Sequence, residues 1–324
     1  MNRLQYWFSI VGLCLLTSAS VAYAQAGTYP AKPVMIISDA AAGTAPDVNA
    51  RFIAEGLGKI WGQQVIVINR PGANGSIAAR AASDAAADGY TLFMPALSTF
   101  VALPTIAPNL PIKLPRDFLP IGFTAEQPMF IAVGPSLGVM TLPQLIALAK
   151  KEPGKITFAV SGVGRLTHLT GEVLQARADI KLLSVPYAHG TASALSDIGS
   201  GRVSLIIENY SGIVGAVKAG QVKLVAVASS ERLPEFPDLP TVTETIPGFT
   251  ASGWQVLVAP TGTPATIISK VSADLRNVVS GVDFKRRLAA IGNYSRAMTP
   301  EEVLAFVAKE QQTWQPVLEK ISAK

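Results

Sequence analysis

The chain has 324 residues, 49% hydrophobic and 15% charged, which excludes a disordered or fibrous polypeptide and provides enough length for two globular lobes. Its 27 Lys and Arg against 22 Asp and Glu give a formal +5 with no dense basic run, so no nucleic-acid footprint is present. A single cysteine, Cys14, permits no disulfide within the chain, and two histidines, His168 and His189, are too few to suggest a transition-metal site.

The N-terminus reads as an export signal, with Arg3 as the positive end, an apolar run from Trp7 to Leu16, and Ala22-Tyr23-Ala24 as a small-x-small cleavage site. Cleavage after Ala24 would remove residues 1–24, Cys14 with them, and release an exported mature chain. The apolar run is short for a bilayer span, and Leu13 stands before Cys14 where a lipoprotein signal wants a small residue.

Short β-branched runs then alternate with helical patterns, the mark of parallel sheets covered by helices. Val34 to Ser38 reads as a strand. From Asp47 to Trp61, Val48, Phe52, Ile53, Leu57 and Ile60 fall at helical spacing, and Val65 to Asn69 is a second strand. The turn Pro71-Gly72-Ala73-Asn74-Gly75 leads into an alanine-rich helix expected to run from Ser76 to about Ala87, and Thr91 to Met94 follows as a strand. A second series starts with a strand from Phe130 to Val133. It continues through a helix from Thr141, a strand Thr157 to Val160, a helix Thr167 to Arg177, a strand Leu182 to Val185, a helix Thr191 to Gly199, a strand Val203 to Glu208, a helix Gly212 to Ala219 and a strand Lys223 to Ala228. Thr141-Leu142-Pro143-Gln144 and Thr299-Pro300-Glu301-Glu302 carry the capping-box spacing. Four prolines between Leu233 and Pro247 mark a connection between lobes; a strand from Trp254 to Ala259 and helices from Pro264 and Thr299 complete the chain. The expected fold is α/β and two-lobed, each lobe a mainly parallel sheet flanked by helices, with residues 25–128 and 256–324 in lobe 1 and 129–255 in lobe 2. Crossing segments are expected near Gln127–Phe130 and Ser252–Val256, with a hinged cleft between the lobes.

Nucleophilic catalysis needs an activated Ser or Cys beside a base, and Ser161 with His168 is the one pair to test. Ser161 lacks the first glycine of a G-x-S-x-G elbow, and neither a G-x-G-x-x-G fingerprint nor a phosphate loop occurs, so neither an enzyme nor a cofactor is indicated. What recurs is a strand ending in a small-residue loop that opens a helix: Ala40 to Asp47, Arg70 to Ser76, and Ser161 to His168. Small side chains let a ligand reach the backbone, and free N–H groups at a helix start favour an anion. The same composition also serves ordinary βα connections.

Several segments resemble a known family in order along the chain. They include Tyr29-Pro30-Ala31-Lys32-Pro33, Asn69-Arg70-Pro71-Gly72-Ala73-Asn74-Gly75, Ala87-Asp88-Gly89-Tyr90-Thr91-Leu92, Thr167-His168-Leu169-Thr170-Gly171-Glu172, Pro237-Asp238-Leu239-Pro240-Thr241-Val242 and Ala259-Pro260-Thr261-Gly262-Thr263-Pro264. Together they resemble the extracytoplasmic solute receptors of tripartite tricarboxylate transporters, the Bug or TctC-like family. The resemblance implies a type II-like periplasmic binding protein that closes, as a monomer, on a small organic acid, a mono- or dicarboxylate including aromatic or amino acids. It would pass that solute unchanged to the membrane permease subunits of a tripartite transporter. An orphan receptor serving a sensor kinase is the alternative of the same class, and a secreted hydrolase using Ser161 and His168 the alternative from another.

Carried over position by position, the resemblance makes Gly72, Ala73, Asn74 and Gly75 carboxylate-binding candidates. The first loop departs from the family's Pro-x-Gly-Gly-Gly-Thr-Asp: Ala42 and Gly43 remain candidates, but Thr44 and Ala45 replace glycines, Pro46 stands at the threonine, and Asp47 either caps the helix or orients water. Ser98 and Thr99 match a pair that faces the cleft or caps a surface helix. In the second lobe Ser161 is shifted one place from the usual serine, beside Gly162, and Arg165 occupies a small hydroxyl residue's place, either gripping a carboxylate or solvated. Thr167 and His168 lie at the following helix start, His168 bracing that helix or touching ligand. His189 falls in a segment one residue longer than usual, and Asn209 matches an asparagine close to the cleft.

Overall fold

A computed structural model describes residues 29–106, 110, 112–162, 164–187 and 191–322; the expected export signal over residues 1–24, with Cys14, and the candidate His189 lie outside them. Residues 32–324 form one compact unit.

Strand β1 (Val34–Ser38) lies between β2 (Val65–Asn69) and β3 (Thr91–Met94), all three parallel. Helix α1 (Ala45–Trp61) joins β1 to β2 and buries Ala50, Ile53, Ala54 and Leu57, the i, i+3, i+4, i+7 stripe of an amphipathic helix. It stops at Gly62, whose φ of 62° frees its N–H to bond Gly58 O. Sequence alone starts α1 at Asp47; it starts at Ala45 because Pro46 sits in the first turn, where a missing N–H costs nothing. Helix α2 (Ser76–Ser83) ends about four residues before the expected Ala87, with the Ser83 hydroxyl donating back to Arg80 O and competing with the next helical turn. Two short helices follow β3, α3 (Leu97–Val101) and α4 (Leu103–Ile106).

Strand β4 (Phe118–Val133) is sixteen residues long, far longer than the expected Phe130–Val133. From Phe118 to Pro128 it pairs antiparallel with β9 (Ser252–Pro260), and from Met129 onward with β7 (Leu205–Asn209) on one edge and β8 (Lys223–Val227) on the other. Gln127 stands opposite Gly253 and Pro128 opposite Ser252, so the two crossing segments named from sequence run side by side. The second sheet centres on β5 (Thr157–Val160), parallel to β6 (Leu183–Pro186) and β7. The whole order is β2-β1-β3-β9-β4-β7-β5-β6, with β8 on β4. Each half thus holds three mutually parallel strands, and β4 is common to both.

Helices α5 (Leu142–Lys151), α6 (Leu166–Ala178), α7 (Thr191–Gly199) and α8 (Tyr210–Lys218) flank the second sheet. Thr141 caps α5 by accepting from Gln144 N. The proline-rich Leu233–Pro247 segment leads from β8 to β9, and its Phe236 ring packs 5.1 Å from Phe130 and 4.7 Å from Tyr210. Helices α9 (Ala265–Ser280), α10 (Val282–Ala289) and α11 (Pro300–Ser322) follow β9; α10 was not expected, because only Phe284 and Leu288 of its polar sequence are buried. Helix α11 covers the crossing strands through Phe306, whose ring centroid lies 5.3 Å from both Phe123 and Trp254. Its start shows the complete reciprocal capping box, Glu302 N to Thr299 Oγ1 and Thr299 N to Glu302 Oε2.

Candidate functional site

The loops that leave the carboxyl ends of β1, β2 and β3 adjoin one another because those strands are neighbours. This is where open α/β sheets place ligands. In the β2–α2 loop Gly72, Ala73, Asn74 and Gly75 have φ of 120°, 45°, 55° and 99°, a run of positive values that includes two residues other than glycine. Non-glycine residues held there store strain, which persists where a function uses the conformation. Gly75 N bonds Gly72 O, while the N–H groups of Gly72, Ala73 and Asn74 and the Asn74 side-chain amide have no partner among the described residues. A Cβ at Gly75 would overlap Thr99 Oγ1 and stand 3.0 Å from Asp39 Oδ2, so this loop is packed directly on the ends of β1 and β3.

That packing centres on Asp39, which the sequence did not single out. Its carboxylate is buried and accepts from Thr99 Oγ1 at 2.6 Å and from Ala96 N at 3.0 Å. Burial pushes its pKa above the usual range, against the pull of the Thr99 and Ala96 bonds and of the Arg165 charge. Thr99 is therefore a buried brace and not a surface cap, while Ser98 beside it is buried with its hydroxyl unpartnered.

In the β1–α1 loop Asp47 Oδ2 accepts from Gly43 N at 2.8 Å and from Arg51 Nε at 3.0 Å, and Oδ1 accepts from Asn69 Nδ2 at 2.8 Å. Burial alone would raise this carboxyl; the Arg51, Gly43 and Asn69 bonds outweigh it and hold the pKa below its ordinary value. Asp47 thus ties the loop to β2. Thr44, the N-cap residue, makes no side-chain cap and donates its hydroxyl to Ala41 O. With the Gly43 N–H and the Thr44 hydroxyl engaged locally, this loop's unpartnered main-chain donors are those of Ala41 and Ala42. The substitutions Thr44, Ala45 and Pro46 are absorbed by the N-cap and first helical turn, leaving Gly43, at φ 78°, as the left-handed position of the loop.

The loops of the second sheet work through side chains. Thr167 Oγ1 accepts from Ser161 N at 3.0 Å and lies 3.0 Å from Ser161 Oγ, closing the β5–α6 loop. His168 is buried, with Nδ1 accepting from Gly164 N and Nε2 turned 3.8 Å toward Glu172, so Ser161 and His168 are not arranged as nucleophile and base. Arg165 is exposed at the N-cap of α6, its stem packed over Gly162, and its guanidinium makes no hydrogen bond or ion pair with any described residue. Its charge nevertheless acts on both Asp39, at the first sheet, and Glu208, at the second. Asn209 caps α8, accepting from Gly212 N at 3.2 Å and Ser211 Oγ at 2.7 Å. Glu208, the second buried acid missed from sequence, lines a water-sized recess with Ser161, Thr167, Tyr187 and Thr191. Among the described residues no cluster of three or more His, Cys, Asp and Glu is placed to hold a metal ion.

Two sheets sharing one long strand, with donor-bearing loops at the ends of the parallel strands, make this a protein of the periplasmic-binding class. Solved structures of that kind match along nearly their whole length. The Rhodopseudomonas palustris protein Rpa4515 with adipate is 28% identical with a TM-score of 0.83, covering 91% of this chain and 98% of its own. The periplasmic binding protein BugD is 31% identical with a TM-score of 0.78, covering 91% and 99%. MatC from Rhodopseudomonas palustris with bound malate is 28% identical with a TM-score of 0.77, covering 90% and 100%. The model of the tripartite tricarboxylate transporter family receptor matches residues 49–323, and the chain belongs to that family.

Proposed function

We propose that this chain is a periplasmic receptor that holds a small organic acid between the loops of its first and second sheets and hands it, unaltered, to the permease subunits of a tripartite transporter. The observation that carries this reading is the pairing of the unpartnered N–H groups of Gly72, Ala73 and Asn74 with the unpaired guanidinium of Arg165. Main-chain donors and a planar cation are two means by which proteins hold carboxylates without reacting with them. Adipate and malate in two related structures support the same ligand class. Residues 25–128 and 256–324 act as one lobe and 129–255 as the other, working as a monomer and hinged where Gln127–Pro128 and Ser252–Gly253 run side by side. Solute shifts an open–closed equilibrium by bridging the two loop sets. Export follows from the signal pattern of residues 1–24.

Titration calorimetry of the mature chain with adipate, malate and a series of mono- and dicarboxylates, with the solute recovered and checked by mass, tests this. Saturable binding with the solute unchanged is the expected result. Absence of binding by every acid, or recovery of a chemically altered one, overturns it.

A further inference from the structure

Positive charge that is dispersed along the sequence is gathered by the fold at one end of the second sheet. Strands β5, β6 and β7 are parallel, and β7 and β8 both run antiparallel to β4, so β5 to β8 begin at the same end, remote from the Ser161 and Asn209 loops. Lys155, Lys181 and Lys223 stand at or just before the starts of β5, β6 and β8. Lys150, Lys151, Arg177 and Lys218 lie in the last turns of α5, α6 and α8, which lead into those strands. All seven are exposed, and none forms an ion pair among the described residues. The same connections carry only two acids, Glu152 and Asp179, while Arg202, before β7, is paired with Asp197. The matching end of the first sheet is different: Lys32, before β1, is 3.7 Å from Asp88, and Lys59, in the last turn of α1, is 2.6 Å from Glu55. A helix dipole accounts for cations in a last turn. It does not account for the three lysines at strand starts.

Two large apolar side chains are exposed among these lysines. Met140 is 54% exposed, with its sulfur 3.6 Å from Lys223 Nζ, and Leu183, two residues after Lys181, is 53% exposed. Lysines are mobile point charges that suit a diffuse array of phosphates, and they lack the fork with which arginine grips a single carboxylate. Lysines around exposed apolar side chains make a face suited to a lipid headgroup layer. We propose that this end of the second sheet is a contact surface for a bilayer carrying anionic phospholipid, with the lysines on the headgroup phosphates and Met140 and Leu183 at the boundary with the acyl chains. The surface lies at the opposite end of the strands from the solute loops, so a bilayer there leaves them uncovered.

Cosedimentation of the mature chain with vesicles tests this, using phosphatidylglycerol mixed with phosphatidylcholine beside phosphatidylcholine alone. Binding should be about tenfold or more stronger to the anionic vesicles at about 50 mM NaCl, and most of that difference should vanish at about 500 mM. The triple variant Lys155→Glu, Lys181→Glu and Lys223→Glu should lose about tenfold or more of the binding to anionic vesicles. The corresponding three Lys→Gln changes should lose less, and they decide the matter if the glutamate variant melts as a misfolded protein. Arg80→Glu, Lys285→Glu and Lys309→Glu together make the same change in net charge at exposed positions elsewhere, and should cost less than about threefold. Equal binding to the two kinds of vesicle, or equal losses in the two glutamate variants, overturns the proposal. So does binding to polyglutamate without binding to vesicles, which would assign the surface to an acidic protein. The experiment contains no solute, so its failure leaves the receptor reading standing, and failure of every acid in calorimetry leaves the bilayer contact standing.

Discussion

The loops of the first sheet and those of the second differ in which donors and charges they leave free. Around β1, β2 and β3 the side chains bond to one another, Asp39 with Thr99 and Asp47 with Arg51 and Asn69, and what remains free is main chain. Around β5 and β7 the reverse holds: the loop main chain is tied by Thr167 and His168, and what remains without a partner among the described residues is the Arg165 guanidinium. On the receptor reading proposed above, main-chain donors suit any carboxylate, whereas the charged Arg165 on the opposite loops discriminates among them. A generic anion holder facing a selective partner would then allow ligand choice to change by substituting the second set alone.

The sharpest way to break that comparison is to disturb the packing that fixes the first set. Gly75→Ala places a methyl group into Thr99 Oγ1, which cannot retreat because it is bonded to the buried Asp39, and forces alanine to a φ of 99°. Strain and overlap together should cost about 3 kcal/mol in urea unfolding and abolish acid binding. Gly43→Ala is the control: its methyl meets nothing within 4 Å, so only the backbone strain of a φ of 78°, about 1 kcal/mol, is expected. Equal losses in the two variants would show that Asp39 and Thr99 do not brace this loop.

Next in size is the second set's cation. Arg165→Ala should weaken carboxylate binding about tenfold or more, with diacids losing more than monoacids, and Arg165→Lys should restore only part because it lacks the planar fork. Melting temperature should change little, since the guanidinium bonds to no described residue and reaches Asp39 and Glu208 only through its charge. Unchanged affinity would return Arg165 to the role of a solvated loop residue.

A third, smaller effect separates the buried acids by pH. Asp47 has its pKa held below the ordinary 3.8, so its stabilising contribution is present above pH 3.8 and is lost as pH falls through the depressed value. Asp47→Asn should therefore cost about 1.5 kcal/mol at neutral pH, with the gap to the native chain closing in acid. Asp39 and Glu208 have the opposite sign. Burial raises both, so their contribution is present below the ordinary carboxyl values and is lost as pH rises through the raised ones. Denaturant melts of Asp47→Asn across the acid range that show a constant gap would contradict this assignment.

Much of the fold was legible because β1, β2, β3 and β5 are short apolar runs bounded by small residues, and because Thr141 and Thr299 announce helix starts. Strand β4 was not. Pro120, Gly122 and Pro128 interrupt its pattern, and register shifts at Pro120/Gly122 and Phe123/Ala125 erase the alternation that marks a strand. At the site the glycine-bearing β2–α2 loop was legible through its composition. Asp39 and Glu208 were not, because an acid at the end of a strand reads as solvated until loops distant in sequence close over it, Gly75 and Thr99 in the one case and Thr191 in the other. Thr44, Ala45 and Pro46 look like damage to a glycine loop in the sequence, and only the position of the α1 start shows that the helix takes them up.

That last point yields the smallest expected effect. If α1 absorbs the altered loop, the Thr44 hydroxyl serves the turn alone: it donates to Ala41 O at 2.7 Å, makes no cap to the helix, and is exposed. Thr44→Ala should then cost about 0.5 kcal/mol, the low end for a residue at this position, and leave acid affinity unchanged. Thr44→Gly, which rebuilds the family's residue there, should lower stability by a similar amount through chain entropy, again without tightening binding. A clear gain in affinity for the glycine variant would mean that the loop closes on the solute with its own main chain, and the difference drawn between a tied first loop and a donor-bearing second loop would have to be redrawn within the first sheet.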